Sequence, residues 1–266
     1  MIESVLSQTY ADFEFLLLND SPENKELKEI VSSYKDERIQ YFENKKNIGI
    51  SASRNKLISL AQGEYLAICD HDDISLPTRF EKQVKYLDSH KDVGVVSALC
   101  EVFGNGKHVF QRHPEHDWQI KKMLADNCYM AHPAAMVRKS VLTENDIAYN
   151  EFYSPAEDYK LWADLMEFTH FYNIQEILLK YRTFDKNTSV LQKEKMNNAA
   201  QNIRWEIRNK YPAYSLENIL EKFTVSSTPS SKKTKIYIKL FGIIPLLKIK
   251  KRKIFLFNFI PILTIK

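Results

Sequence analysis

Short apolar runs and helical stripes take turns along this chain, and their order predicts its architecture. Met1 to Thr9 reads as a helical fragment with Ile2, Val5 and Leu6 on one face. Phe13 to Leu18 is an apolar run broken only by Glu14, followed by the turn Asn19-Asp20-Ser21-Pro22, so it predicts a strand ending in a carboxylate. Glu23 to Tyr34 sets Leu27, Ile30, Val31 and Tyr34 at helical spacing, and Arg38 to Phe42 alternates as a short strand does. Asn47-Ile48-Gly49-Ile50-Ser51 opens another helix, with Ser51 as its expected N-cap. In that helix Leu57, Ile58 and Ala61 would face the core, while Arg54 and Asn55 occupy another side. Gly63 stops it, and Tyr65 to Cys69 is a continuous apolar run suited to a buried parallel strand. Strand, helix, strand, helix, strand implies a mostly parallel sheet covered by helices.

The pattern continues with a helix over Pro77 to Ser89, whose stripe is Phe80, Val84 and Leu87. Val93 to Phe103 is strand-like, and Gly104-Asn105-Gly106 makes a hairpin turn into Val109-Phe110. Helices are expected at Trp118 to Leu124, Lys139 to Asn145, Glu157 to Phe168 and most of Asn187 to Lys210. Strands are expected at Ala134 to Val137, Phe171 to Ile174 and Ile177 to Tyr181. Val225 to Lys235 is rich in Ser, Thr and Lys, as a linker is. The expected organisation is therefore a domain over 1–222, a linker over 223–235 and a tail over 236–266.

The tail repeats itself. Leu240-Phe-Gly-Ile-Ile-Pro245-Leu-Leu-Lys-Ile-Lys250 matches Leu256-Phe-Asn-Phe-Ile-Pro261-Ile-Leu-Thr-Ile-Lys266, and Lys250-Lys-Arg-Lys253 joins the copies. Each proline argues against one continuous helix. Charge sharpens the division. Residues 232–266 carry ten Lys or Arg and no Asp or Glu, leaving 28 basic and 34 acidic side chains to the rest of the chain. Apolar segments around a basic run suit the interface of an anionic bilayer, although a hairpin packed on the body would show the same pattern. The acidic body lacks the basic stripe of a nucleic-acid binder, so no nucleic-acid partner is expected. An apolar content of 44% and a charged content of 27% describe an ordinary globular protein. No signal peptide and no uncharged run long enough to cross a bilayer is visible. Cys69, Cys100 and Cys128 lie far apart, which argues against a disulfide scaffold and is compatible with a reducing compartment.

The candidate chemistry lies just past the run Tyr65 to Cys69, where Asp70-His71-Asp72-Asp73 puts three carboxylates within four residues. Ligand sites of open α/β sheets lie beyond the carboxyl ends of their strands. Like charges this close repel, and a hard divalent cation would relieve them. A solvated turn would also be rich in Asp.

In order, Ser4-Val-Leu-Ser-Gln-Thr-Tyr10, Phe13-Glu14, Asn19-Asp20-Ser21, Asn47-Ile-Gly49, Ala52-Ser-Arg54-Asn55, Ala61-Gln-Gly63-Glu-Tyr65, Asp70-His-Asp72-Asp73, His132-Pro133, Glu157-Asp158 with Leu161-Trp162, and Tyr181-Arg182 with Ser189 resemble the family 2 glycosyltransferases. The resemblance covers about residues 1 to 190. It implies an α/β protein of the GT-A fold, a Rossmann-like mixed sheet flanked by helices. It also implies an inverting, metal-dependent transfer of a hexosyl or N-acetylhexosaminyl group from a nucleotide sugar, expected to be a UDP-sugar, to a glycan or lipid-linked acceptor. Asp70 and Asp72 match the Asp-x-Asp motif that holds the donor diphosphate through Mn2+ or Mg2+, with Asp72 the direct ligand. Asp20 matches the acid that contacts the nucleoside, and Arg54 a residue near the nucleotide. Asp158 matches the base, with Glu157 beside it; both acids would also favour a helix N-terminus electrostatically. Arg182 resembles a late arginine near the diphosphate, although Phe184 stands where the family often has a histidine. His132 matches the acceptor-side loop. The tail resembles those of bacterial surface-polysaccharide glycosyltransferases, which implies a cytoplasmic protein held peripherally at the inner face of the membrane.

Family members begin with a strand ending in a Pro-x-Tyr-Asn-like motif, and this chain begins inside the helix that follows. The expectation is an N-terminally incomplete domain with a central sheet position empty. That leaves open a second reading, a truncated, inactive glycosyltransferase-like subunit retained for membrane or partner binding.

Overall fold

The computed structural model describes residues 1–185 and 187–214, together with 237–240, 244–250 and 253–254. The chain divides into two compact units, 1–222 and 223–266.

In the first unit, helix α1 (Ile2–Leu6) leads to strand β1 (Phe15–Asn19), helix α2 (Lys25–Ser33) and strand β2 (Ile39–Glu43). β1 and β2 pair in parallel, from Phe15 with Ile39 to Asn19 with Glu43, which makes α2 their crossover. The Asn24 side chain accepts the amide of Glu26 and so caps α2. The apolar stripe of α2 does not become core: Leu27 and Ile30 are exposed. Helix α3 (Ile50–Leu60) then returns the chain to strand β3 (Tyr65–Ala67).

A six-stranded sheet follows, in the order β3-β7-β5-β8-β4, with β6 paired to β5. Its other strands are β4 (Ile74–Ser75), β5 (Val93–Gly104), β6 (Lys107–Gln111), β7 (Met136–Arg138) and β8 (His170–Arg182). The helices are α4 (Arg79–Ser89), α5 (Asp117–Leu124), α6 (Lys139–Glu144), α7 (Glu157–Leu165), α8 (Thr188–Leu191) and α9 (Lys193–Lys210).

The mostly parallel sheet expected from the order of elements is corrected here. Only β5 and β8 pair in parallel within the six strands; β3 with β7, β7 with β5, β4 with β8 and β6 with β5 are all antiparallel. The reason is β7, a short strand inserted in reverse between β3 and β5. β3 is accordingly half-buried rather than fully covered. The two strands expected over residues 171–181 are one, β8, whose pairing with β5 shifts register between Ile174 and Ile177. The hairpin from β5 into β6 turns at Asn105 and Gly106, with φ of 48° and 68°. Two successive positive φ values are what a tight turn between right-twisted strands needs.

Two apolar clusters cover the sheet. One gathers Trp162, Leu161 and Leu165 of α7 with Ile120 and Leu124 of α5 and Ile203 and Ile207 of α9. The other packs Phe80 and Leu87 of α4 against Val96, Ala98, Leu178 and Leu179. Each side chain of this size withdrawn from water favours the fold by about 1.5–3 kcal/mol. Cys100 lies in the second cluster, and all three cysteines are free thiols.

β1 has a hydrogen-bonded neighbour only in β2, and β3 only in β7, so each presents an open edge among the described strands. A cavity of about 790 Å³ is lined by both, with Phe15 and Leu17 from β1 and Leu66 from β3, and it extends to Ile58, Arg54 and Tyr149.

The second unit contains strands β9 (Tyr237–Leu240), β10 (Ile244–Lys250) and β11 (Lys253–Ile254), ordered β11-β10-β9 and antiparallel. The expected linker over 223–235 and the second copy of the tail repeat, from Leu256 on, lie outside the described residues. Among the described residues no helix is long and apolar enough to cross a membrane.

Candidate active site

Asp20 follows the last residue of β1, and its carboxylate is fully engaged by the loop before α3. Oδ1 accepts the side-chain amide of Asn44 at 2.8 Å and the backbone amide of Ile48 at 2.9 Å, and Oδ2 accepts the amide of Gly49 at 2.9 Å. Burial alone would raise its pKa, but these donors outweigh burial and hold it below the usual carboxylate range. Gly49, with φ of 87°, is the N-cap of α3. This corrects the expectation for Ser51, which is buried one residue inside the helix with its hydroxyl unpaired. Positive φ at Gly49 is the reason, since it turns the chain so that consecutive amides reach Asp20.

One turn into α3, Arg54 joins the two groups of acids. Its Nη2 donates to Asp70 Oδ1 at 3.1 Å and its Nη1 to Glu157 Oε1 at 2.9 Å. Burial opposes its charge, yet Asp70, Glu157 and Asp158 together keep its pKa raised. The Asp-His-Asp turn and the pair at the start of α7 lie 16 and 103 residues from Arg54 in sequence, and this guanidinium makes them one site.

Asp70 and Asp72 are both partly accessible. Asp72 Oδ2 accepts from Asn187 Nδ2 at 3.4 Å, and its backbone carbonyl accepts from Arg182 Nε at 2.9 Å. Asp73 is different in kind. It is 2% exposed, with one oxygen bonded to the Arg182 amide at 2.8 Å and the other unpaired. Its burial and the charges of Asp70 and Asp72 push its pKa up to about 7. Arg182 is itself exposed, with its guanidinium over the Phe103 ring at 4.6 Å, and it closes β8 onto the acidic turn. Among the described residues no group of three or more His, Cys, Asp and Glu is set around one point as a complete metal cage. Two partly accessible carboxylates nevertheless fit a small hard cation that takes its other oxygens from a phosphate ligand and water.

Glu157 and Asp158 occupy the first turn of α7, where the helix dipole favours negative charge. Glu157 is 5% exposed and its second oxygen is unpaired. Burial, then the neighbouring Glu157, push Asp158 up to about 6. A carboxylate with such a pKa ionises near neutrality while remaining a better proton acceptor than a surface aspartate.

His132, expected at the acceptor-side loop, is buried. It sits in a single 3₁₀ turn at 5% exposure, its Nε2 2.8 Å from the Tyr149 hydroxyl and its ring 5.8 Å from that of Trp162. Burial and two nearby arginines hold its pKa well below the ordinary value, so the imidazole is neutral. An apolar floor around a histidine leaves no visible pattern in the local sequence. Tyr149, Asn55, Asn44 and Asp73 are residues of the site that local sequence does not mark as such. Of these, Asp73, as the third acid of its cluster, and Asn55, beside Arg54 in Ala52-Ser-Arg54-Asn55, carry a signal.

Residues 1–145 match the model of the family described as Glycosyl transferase family 2. The chain belongs to that family. This family 2 glycosyltransferase is 36% identical over 203 residues to an uncharacterized glycosyltransferase of Methanocaldococcus jannaschii, covering 73% of this chain and 69% of the relative. It is 31% identical over 195 residues to the O-antigen biosynthesis glycosyltransferase WbnJ of Escherichia coli, covering 70% of this chain and 74% of WbnJ. Among solved structures it resembles S. aureus TarS 1–349 with a TM-score of 0.62 at 19% identity, covering 79% of this chain and 60% of the TarS chain. The complex of TarS 1–349 with UDP-GlcNAc gives a TM-score of 0.63 at 18% identity, covering 85% of this chain and 72% of that one. At that identity the likeness speaks to the fold, which is of the GT-A type, a curled mixed sheet flanked by helices.

Proposed function

We propose that this protein transfers a glycosyl group, with inversion, from a nucleotide-diphosphate sugar to a hydroxyl group of a glycan or lipid-linked acceptor. The observation that carries the proposal is the Arg54 bridge, 3.1 Å from Asp70 and 2.9 Å from Glu157, which joins a diphosphate-side acid to the pair that contains the base. Asp70 and Asp72 would hold Mn2+ or Mg2+ against the donor diphosphate. Bound there, the cation would supply positive charge to offset what develops on the leaving group. Arg54 and Arg182 add fixed positive charge from the protein itself.

Asp158 takes the proton of the acceptor hydroxyl as its oxygen attacks the anomeric carbon and the nucleoside diphosphate departs from the opposite face. Glu157, tied to Arg54, keeps that neighbourhood anionic and so sustains the basicity of Asp158. Asp20 contacts the nucleoside end of the donor and shapes the loop there, accepting hydrogen bonds from Asn44, Ile48 and Gly49. TarS has been crystallised with UDP and with UDP-GlcNAc, which favours a UDP-sugar as the first donor to try. The name of WbnJ favours a surface polysaccharide as the acceptor's destination. With its basic, apolar tail, the protein would work on the cytoplasmic membrane face, bound peripherally.

The test is donor binding and turnover in the same preparation. UDP-GlcNAc or another UDP-sugar with Mn2+ raises Tm, and the purified protein releases UDP from it when an acceptor is added. Asp72→Ala abolishes the metal-dependent shift. A folded protein whose Tm responds to no nucleotide sugar with either metal overturns the proposal. A shift without turnover returns the protein to the class of binding subunits.

A further inference from the structure

The segment between α6 and α7 is a surface connection anchored midway by the buried Tyr149. Ala148 and Asn150 are exposed, while Tyr149 between them is 5% exposed. Three other residues fix it. Its backbone amide donates to Asn55 Oδ1 at 2.8 Å, and its backbone carbonyl accepts from Asn55 Nδ2 at 2.8 Å, so a single side-chain amide clamps both of its peptide groups across 94 residues of sequence. Its hydroxyl pairs with His132 Nε2 at 2.8 Å beneath the site. Its ring lies under the Arg54 guanidinium, 5.3 Å from ring centroid to Cζ.

These contacts converge on one function. Asn55 follows Arg54 in α3, so the residue that carries the guanidinium and the residue that clamps its platform are neighbours on one rigid helix. We propose that Tyr149 is a positioning residue, locked by Asn55, whose ring holds the Arg54 guanidinium in the orientation that bridges Asp70 to Glu157. An aromatic face attracts a guanidinium laid over it, more strongly where water is excluded. It also blocks the rotamers through which an arginine on a free helix surface would swing. The hydroxyl of a tyrosine in so apolar a place requires a partner, and the neutral imidazole of His132 supplies it. The kinetic half of the proposal rests on the glycosyl-transfer reading; the structural half does not.

The test compares Tyr149→Phe, which keeps the ring and loses the hydroxyl, with Tyr149→Leu, which loses the ring. The first readout is the Arg54 guanidinium resonance in 15N NMR, assigned through Arg54→Lys and measured without substrate. In the wild-type protein this resonance should show restricted rotation and slow exchange. Tyr149→Phe should retain that signature, and Tyr149→Leu should collapse it to that of a freely rotating arginine. The second readout is transfer: Tyr149→Leu lowers kcat by roughly 10- to 100-fold, with a smaller change in donor KM, because misplacing an orienting group costs rate more than binding. Tyr149→Phe stays within about threefold of wild type, since it keeps the platform.

A folded Tyr149→Leu with wild-type Arg54 resonances, or with kcat and KM no different from those of Tyr149→Phe, overturns the role. Should Tyr149→Leu fail to fold, Asn55→Ala takes its place with the same expected and overturning results, because it frees the Tyr149 backbone and leaves the aromatic core intact. If the wild-type protein transfers no sugar from any nucleotide sugar supplied, the glycosyl-transfer reading fails, and the NMR comparison still decides what Tyr149 does.

Discussion

At the scale of single residues, the site is a set of acids with divided duties. Asp20 has its oxygens taken by amides, Asp73 is buried with one oxygen unpaired, and Asp70 and Asp72 remain partly accessible. Asp158, at about 6, is the acid whose ionisation falls nearest neutrality with a chemical use. Transfer should therefore rise from pH 5 to pH 7 along a limb with an apparent pKa near 6, and kcat measured across that range with a saturating donor checks it. Asp158→Asn should remove turnover and leave the metal-dependent Tm shift by the donor intact.

The same residue carries a stability prediction of opposite sense. Its folded pKa lies above the usual aspartate value, so the protonated carboxyl favours the fold, and that contribution is lost as pH rises through about 6. Asp158→Asn, which cannot ionise, should melt higher than wild type at pH 8 and at the same temperature near pH 4. Equal Tm differences at both pH values would refute the cause assigned to the shift. Asp20→Ala, which strips three donors of their acceptor, should cost about 1–3 kcal/mol, seen as a lower Tm and faster amide exchange at Ile48 and Gly49.

At the scale of elements, pattern and packing part company. The stripe of α2 is well formed, yet Leu27 and Ile30 stay exposed, because α2 spans a two-stranded sheet that offers little surface to cover. Ile30→Ala should change Tm by no more than about 0.5 kcal/mol's worth. The stripe of α7 has the same helical period and a different fate, with Leu161, Trp162 and Leu165 each at most 1% exposed. Trp162→Ala should cost about 3–5 kcal/mol, from lost transfer energy and the cavity left behind, and should lower Tm by roughly 10 °C. Because α7 also carries Glu157 and Asp158 on its first turn, activity should fall with stability, and chemical denaturation with activity measured in parallel will show both. Periodicity identifies a face; it does not say whether a partner exists to cover it.

At the scale of the whole molecule, the charge division between a mildly acidic body and a basic tail makes the membrane proposal testable. Deleting residues 232–266 should release the protein from vesicles of anionic lipid while leaving turnover of a soluble acceptor unchanged. Raising salt should weaken vesicle binding of the intact chain, since surface attraction is screened within about 8–10 Å at such ionic strength. Sedimentation with vesicles that is unaffected by the deletion would remove the tail from that role.

Local sequence determined the candidate carriers of chemistry and the existence of most elements. An apolar run followed by acids places Asp70 and Asp72 beyond a strand, an acidic pair before an apolar stripe places Glu157 and Asp158 on a helix start, and Asn-Gly fixes the hairpin between β5 and β6. These features depend on neighbours a few residues apart, so periodicity and turn chemistry reveal them. Tertiary structure decided the rest: the reversed direction of β7 and with it the mixed sheet, the open edges of β1 and β3, the burial of His132, and the clamp of Asn55 on Tyr149 across 94 residues. Strand direction and long-range pairing are settled by which surfaces meet when the chain closes. A local pattern is the same whichever partner it finds. The Asp-His-Asp turn was visible from the sequence; that one arginine, seated on one tyrosine, joins it to the acids of α7 was visible only in the fold.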